Sequence, residues 1–275
     1  MDIILNEVEL AKDIIKRAEG EANPSLVGKK PSYTLSLLAR YMKQIEKKKD
    51  EAIFEYLDSF MSKHANGYNS VLWGNKIQSC VKKAKKNKLN QIDYIGITQN
   101  ELDIIAQLKN EKQERLVFTM LCYAKYYNAI NEMNNNWINV SLTDLFKSAR
   151  VYSEKGVSNR LMINDIKDKF DVQVIDEKTK KVKNKKWMEL ALLVSSTNIK
   201  LNFIDEESDK YAIEISDFRE LGYEYLLYKG ASYGRCKTCG ILFKKTGNKS
   251  MYCSTCRKES ELLSKRKWKN KKVEK

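Results

Sequence analysis

A chain of 275 residues with 42% hydrophobic and 32% charged side chains has apolar material for one large or two to three small cores, and ample charge to cover them. Two prolines and eleven glycines are too few for a turn-dense β-sandwich and favour long helices. No run of eighteen apolar residues exists, which excludes a hydropathic transmembrane helix, and a formal net charge of +15 points to an anionic partner.

The segment Met1–Leu10 carries three acids and no Lys or Arg, the opposite of a secretory leader. A cytoplasmic location is therefore expected. There, six cysteines read as metal ligands or core residues rather than disulfides. Cys80 and Cys122, alone in helical contexts, read as core.

Residues 1–97 read as an N-terminal helical domain. Its predicted helices run from Asn6 to Gly20, from Pro31 onward, from Asp50 to Lys63 and from Ser70 to Leu89. Leu35, Leu38, Met42 and Ile45 share one face of the second, and Ile53, Leu57 and Phe60 one face of the third. Lys82, Lys83, Lys85, Lys86 and Lys88 close the fourth. They are either a solvated helix face or one end of a nucleic-acid path.

Residues 98–228 read as a winged helix-turn-helix domain. Thr98 with Glu101 forms a possible capping box, and Arg115–Glu132 is a helix with one buried stripe. Trp137–Val140 is a short strand, Ser141 caps a second helix, and Ser158 caps a third with Met162, Ile166 and Phe170 inward. Strands are then expected at Asp171–Ile175 and Trp187–Val194. Between them lies a loop, Glu177–Lys186, holding six lysines. In a winged helix the third helix enters the major groove and the wing touches backbone or minor groove. Here that helix offers Asn159, Arg160, Asn164 and Lys167 to base edges and phosphates. The wing offers Lys180, Lys181, Lys183, Lys185 and Lys186 to phosphates. Asp165 and Asp168 on the same helix would repel phosphate, and winged helices also serve as protein-docking modules. Strands are further expected at Ile199–Ile204 and Lys210–Ile215. The Asp217-Phe218-Arg219 triplet and Tyr223, Tyr225 and Tyr228 are expected to seat the C-terminal segment against the winged helix.

Residues 229–275 hold fifteen Lys or Arg against three Glu, a net of +12. Within them Cys236-Lys-Thr-Cys239-Gly240 precedes Cys253-Ser-Thr-Cys256. Two CxxC pairs at this separation are a strong zinc signature. Two residues between thiols let both sulfurs face one point about 2.3 Å away, and four cysteines leave no open catalytic position. Gly240 suits the positive φ of a knuckle turn. Strands are expected at Ile241–Phe243 and Ser250–Tyr252, with the last ligand pair on the first turn of a helix. That order is treble-clef-like; a zinc ribbon is the alternative. The C-terminal helix carries Lys258, Lys265, Arg266, Lys267 and Lys269 around Trp268, suited to phosphates and base stacking or to packing on the finger.

Catalytic signatures are missing. The one histidine, His64, lies far from the cysteine pairs and reads as a surface or cap residue. No nucleophile–histidine set, GxGxxG or complete phosphate loop can be assembled, so a non-catalytic protein is expected.

The words Thr98-Gln-Asn-Glu-Leu102, Phe118-Thr-Met-Leu121, Ala124-Lys-Tyr126, Trp137-Ile-Asn-Val140, Asp217-Phe-Arg219 and Leu221-Gly-Tyr223, with the cysteine pairs, carry a resemblance. From Thr98 through Cys256 the chain resembles phage and prophage proteins of low-GC Gram-positive bacteria with a winged-helix-like middle and a C-terminal four-cysteine finger. The resemblance implies a mobile-element setting and a bacterial host, and no particular activity. The expectation is thus a mainly α protein with small β, binding Zn2+ and duplex DNA as a transcription regulator or replication factor. The alternatives are a factor that docks on or inhibits a host complex, such as a polymerase or defence nuclease, and an RNA-binding protein.

Overall fold

The computed structural model describes residues 3–28, 30–152, 158–175, 182–192, 197–205, 210–247, 249–258, 260–262 and 264. The protein is mainly helical with small antiparallel sheets, and it divides into two compact units. One is Ile4–Asp93; the other is Tyr94–Lys275 together with Met1–Ile3. The first strand, Ile95–Ile97, therefore belongs with the second unit.

The Ile4–Asp93 unit holds α1 (Glu7–Ala18), α2 (Pro31–Gln44), α3 (Asp50–His64) and α4 (Ser70–Lys83). Asn6 and Asn69 cap α1 and α4 by accepting backbone N–H bonds, and Pro31 opens α2 where no helical N–H is required. Apolar residues at helical spacing meet in one core, including Leu35, Leu38, Met42, Ile53, Leu57 and Ile77. A buried ion pair crosses its edge. Arg40 donates from both terminal nitrogens to Glu7 at 2.7 and 2.8 Å, while Asn90 N–H and Tyr33 hydroxyl complete the carboxylate at 3.0 and 3.1 Å.

His64 departs from expectation: it is buried, 2% exposed. Its Nδ1 accepts the Asn23 N–H at 3.0 Å and its ring lies 5.0 Å from that of Phe60. The reason is periodicity. His64 continues the Ile53, Leu57, Phe60 row that faces the core.

The second unit is organised around α6 (Glu111–Ile130), preceded by β1 (Ile95–Ile97) and α5 (Gln99–Ala106). The Thr98–Glu101 capping box is present in both directions, and the buried Glu101 also pairs with Lys125 at 2.9 Å. The helix α6 is buried almost all round, from Leu116 through Ala124, rather than along one stripe. Neighbours enclose it on every side, which is where a helix without a polar face belongs. The other elements of the unit are α5 and β1, then β2 (Trp137–Ile138), α7 (Leu142–Ser148), α8 (Asn159–Lys169), β3 (Asp171–Ile175), β4 (Val182–Lys186), β5 (Met188–Leu192), β6 (Thr197–Leu201), β7 (Ile213–Ile215) and α9 (Leu221–Tyr228) in chain order. Of these, α5, α7, α9, β1, β2 and β6 pack on α6 directly.

The sheets are β1-β7, β2-β6-β5 and β3-β4, all antiparallel. Two features differ from the sequence reading. Residues 182–186, expected as part of a loop, form β4 against β3, with Asp171 opposite Lys186 and Ile175 opposite Val182. A two-stranded ribbon needs no buried face, so a lysine-rich strand is admissible there and leaves no alternation to read. The second strand of the expected hairpin instead turns back through β6 onto β2.

At Gly222 of α9 a Cβ would lie 1.9 Å from the Ala149 carbonyl oxygen, so only glycine lets α9 approach the end of α7 this closely. After α9 come β8 (Tyr233–Arg235) and β9 (Leu242–Lys244), a hairpin with Arg235 opposite Leu242.

Candidate metal centre and basic surface

The β8–β9 hairpin brackets the first CxxC pair. Cys236 N–H donates to Ile241 carbonyl and Gly240 N–H to Cys236 carbonyl, each at 2.9 Å. Gly240 takes φ +72°, the left-handed conformation that the knuckle requires. The strands expected at 241–243 and 250–252 do not pair with each other. The partner of β9 is instead β8, because the knuckle itself is the turn that joins them.

The second pair is tied to the first by Lys237 N–H donating to Met251 carbonyl at 3.0 Å. Residues 254–258 are helical. Cys253 stands just ahead of that turn, where its Sγ accepts Cys256 N–H at 3.5 Å and its carbonyl accepts Arg257 N–H at 3.0 Å.

These supports gather the sulfurs of Cys236, Cys239, Cys253 and Cys256 within 4.8 Å of one another, and the set can hold a metal ion. The Cys239 and Cys253 sulfurs are 3.8 Å apart, far beyond a disulfide's ~2.05 Å. Burial pushes the Cys236 thiol up, but backbone N–H groups of Cys253, Cys239 and Thr238 outweigh it and bring it to about 6. Burial, with the Cys236 and Cys253 thiols, raises Cys239; Cys256 is raised by hydrogen bonding to Cys239, then burial. One thiolate, Cys236, is thus favoured by the backbone while Cys239 and Cys256 resist ionising beside it, a charge problem that a bound cation relieves.

The finger is seated on α9 and the segment before it. Arg219 donates to Cys239 carbonyl at 3.0 Å while chelating the Asp217 carboxylate at 2.6 and 2.9 Å. Arg235 pairs with the buried Glu224 at 2.7 Å, and the Tyr223 and Tyr233 rings lie 4.7 Å apart. Arg150 completes this seat with a bidentate bond to Glu220 beside Tyr223. Arg219, held by Asp217, and Tyr223 seat the finger as the sequence reading expects, whereas Phe218 packs on Tyr123 and Tyr126, Tyr225 bonds Glu114 and Tyr228 bonds Gln99, because these rings face the helices of the unit rather than the finger. The Arg150–Glu220 and Arg235–Glu224 pairs went unread, since each joins residues separated in sequence with no fixed spacing.

The expected nucleic-acid residues are distributed along three elements. On α8, Arg160 and Asn164 are exposed, and Asn159 and Lys167 are partly so. The two acids of this helix have lysine partners: Asp165 with Lys169 at 2.9 Å and Asp168 with Lys167 at 3.7 Å. Lys183, Lys185 and Lys186 lie on β4, and Lys186 is exposed, as is Lys258 on the turn after the last ligand. Lys180, Lys181, Lys265, Arg266, Lys267 and Lys269 lie outside the described residues. Among the described residues no helix is long and apolar enough to cross a membrane.

No protein-family model, curated protein or solved structure matches the chain.

Proposed function

We propose that the protein binds DNA through a winged helix and a zinc-loaded, treble-clef-like finger, without catalysing a reaction on it, as a regulator or replication factor of a mobile element. The observation that carries the reading is the order β2-β6-β5. The strand between α6 and α7 is laid against a later hairpin, behind a third helix whose Arg160 and Asn164 face outward. That arrangement suits a helix presented to a major groove beside a hairpin wing, with β3-β4 as an additional basic ribbon.

Zinc suits the thiol set. At Zn–S distances of about 2.3 Å a tetrahedral tetrathiolate has sulfur–sulfur edges of about 3.8 Å. The Cys239–Cys253 separation has that length. When bound, the ion supplies folding energy rather than chemistry, since four thiolates leave it no open position. The hairpin, knuckle and helical turn at Cys253–Cys256 favour the treble clef over a ribbon.

The test is a titration of the zinc-loaded protein against duplex DNA, single-stranded DNA and RNA at 50 and 200 mM salt. Duplex affinity should fall by roughly 10³ across that interval for about six phosphate contacts. Replacing Lys183 and Lys185 by Ala should flatten the slope. Salt-independent binding, or none to duplex, removes the reading.

A further inference from the structure

The finger carries an open groove of about 400 Å³ on a face lined by Lys244, Lys249, Met251, Tyr252, Ser254 and Arg257. Three properties set it apart. Its charge has one sign: three cations and no carboxylate line it among the described residues. Neither Lys244 nor Lys249 is in an ion pair among the described residues. Arg257 meets Glu261 only at 4.0 Å, with both side chains more than half exposed, a pair that an incoming anion displaces at little cost. Its floor is not purely polar, for Tyr252 and Met251 are 46% and 43% exposed.

The walls are also held in place. Met251 is pinned by its carbonyl to Lys237 N–H, and Tyr252 sits between it and the ligand Cys253. Lys244 is on β9 opposite Tyr233, and Arg257 donates its N–H to Cys253 carbonyl. The intervening turn is closed by Ser250 N–H to Gly247 carbonyl at 3.0 Å and by a Thr246–Ser250 hydroxyl contact at 3.1 Å.

We infer that this groove takes one unpaired nucleotide. Lys244, Lys249 and Arg257 hold its phosphates and Tyr252 stacks on its base. Cations and an exposed aromatic in one small concavity match a charged backbone with a flat apolar base attached. A base paired within a duplex offers no free face to such a ring. The finger would therefore direct a duplex-binding protein to a single-stranded tail or junction. This rests on the nucleic-acid reading above and adds the strand state that the finger selects.

The experiment uses the zinc-loaded full chain and three fluorescent probes: a blunt duplex, the same duplex with a three-thymidine tail, and that tail with abasic sugars. The tail should tighten binding about tenfold, and the abasic tail should lose that gain while keeping its phosphates. Tyr252→Ala should abolish the gain and leave blunt-duplex affinity and zinc content unchanged, whereas Tyr252→Phe should preserve it. Lys249→Ala, on an exposed turn, should weaken tailed binding more than blunt. Equal affinity for blunt and tailed probes, or a gain that survives Tyr252→Ala, overturns the inference. Tail binding without blunt-duplex binding leaves it standing and removes the duplex reading instead.

Discussion

The Ile4–Asp93 unit and the finger are stabilised by opposite means. In the former, four helices bury apolar side chains from every element. In the finger, among the described residues from Tyr233 onward, the buried hydrophobic positions are Leu242 and two ligands, Cys236 and Cys253. One buried leucine contributes about 2 kcal/mol. Ordering roughly 25 residues of backbone costs tens of kcal/mol. A metal held by the four sulfurs would supply what the finger's small core does not.

Removing the metal is the strongest way to break that comparison. Chelation, or Cys253→Ala, should forfeit a binding free energy of about 10 kcal/mol or more and unfold the finger. Hydrogen exchange should then show protection lost from Tyr233 onward and retained in α1–α4. Intact metal content in the variant by elemental analysis would refute the ligand assignment, and loss of protection throughout would refute the independence of the core.

The next largest effect falls on the helical unit. Arg40→Met leaves the Glu7 carboxylate buried without its cation, at a cost of about 3–5 kcal/mol in urea denaturation. Burial pushes the Glu7 pKa up, but hydrogen bonds from Arg40 and Asn90 N–H hold it below its ordinary 4.5. As pH falls the unfolded chain therefore takes up this proton before the folded one. The pair's contribution is whole above about pH 4.5 and drains away below it. An acid midpoint unchanged by Arg40→Met would show that Glu7 does not set it. Metal content should be the same in both proteins.

Gly222→Ala tests the ground between the two extremes. The added methyl meets the Ala149 carbonyl, and pushing α9 from α7 should cost about 1–3 kcal/mol. The thermal midpoint of the Tyr94–Lys275 unit should fall while metal remains bound.

How much of this was legible depended on whether a residue's role was local. Helix starts at Asn6, Pro31 and Thr98 were readable, because a cap or a proline acts within one turn. The four cysteines were readable because CxxC spacing is itself the ligand geometry. The strand β8 was not. Tyr233-Gly234-Arg235 has no apolar alternation, and its place is set by Tyr223 and Glu224 of α9 and by the knuckle it flanks. The burial of α6 on all sides likewise depends on neighbours distant in sequence. The burial of His64 is legible too, since it lies on the Leu57–Phe60 face at helical spacing.

The smallest effect bears on how the finger is joined to the segment that seats it. Arg219 links the two, chelating Asp217 on one side and capping Cys239 carbonyl on the other. Its side chain is 38% exposed, so solvent screens the pair and its removal should cost only about 1 kcal/mol. Arg219→Ala should therefore leave both the thermal midpoint and the metal content nearly unchanged. What should change is local opening, because one bond from the knuckle to the α9 platform is gone. Exchange at the amides of Lys237–Gly240 should quicken about fivefold, the ratio that 1 kcal/mol supplies. Arg219→Lys should restore little of that protection, since an ammonium cannot chelate Asp217 and reach Cys239 with a planar fork. If exchange at the knuckle does not respond, Arg235–Glu224 and the Tyr223–Tyr233 contact hold the finger without Arg219, and the metal site is less dependent on its platform than the geometry indicates.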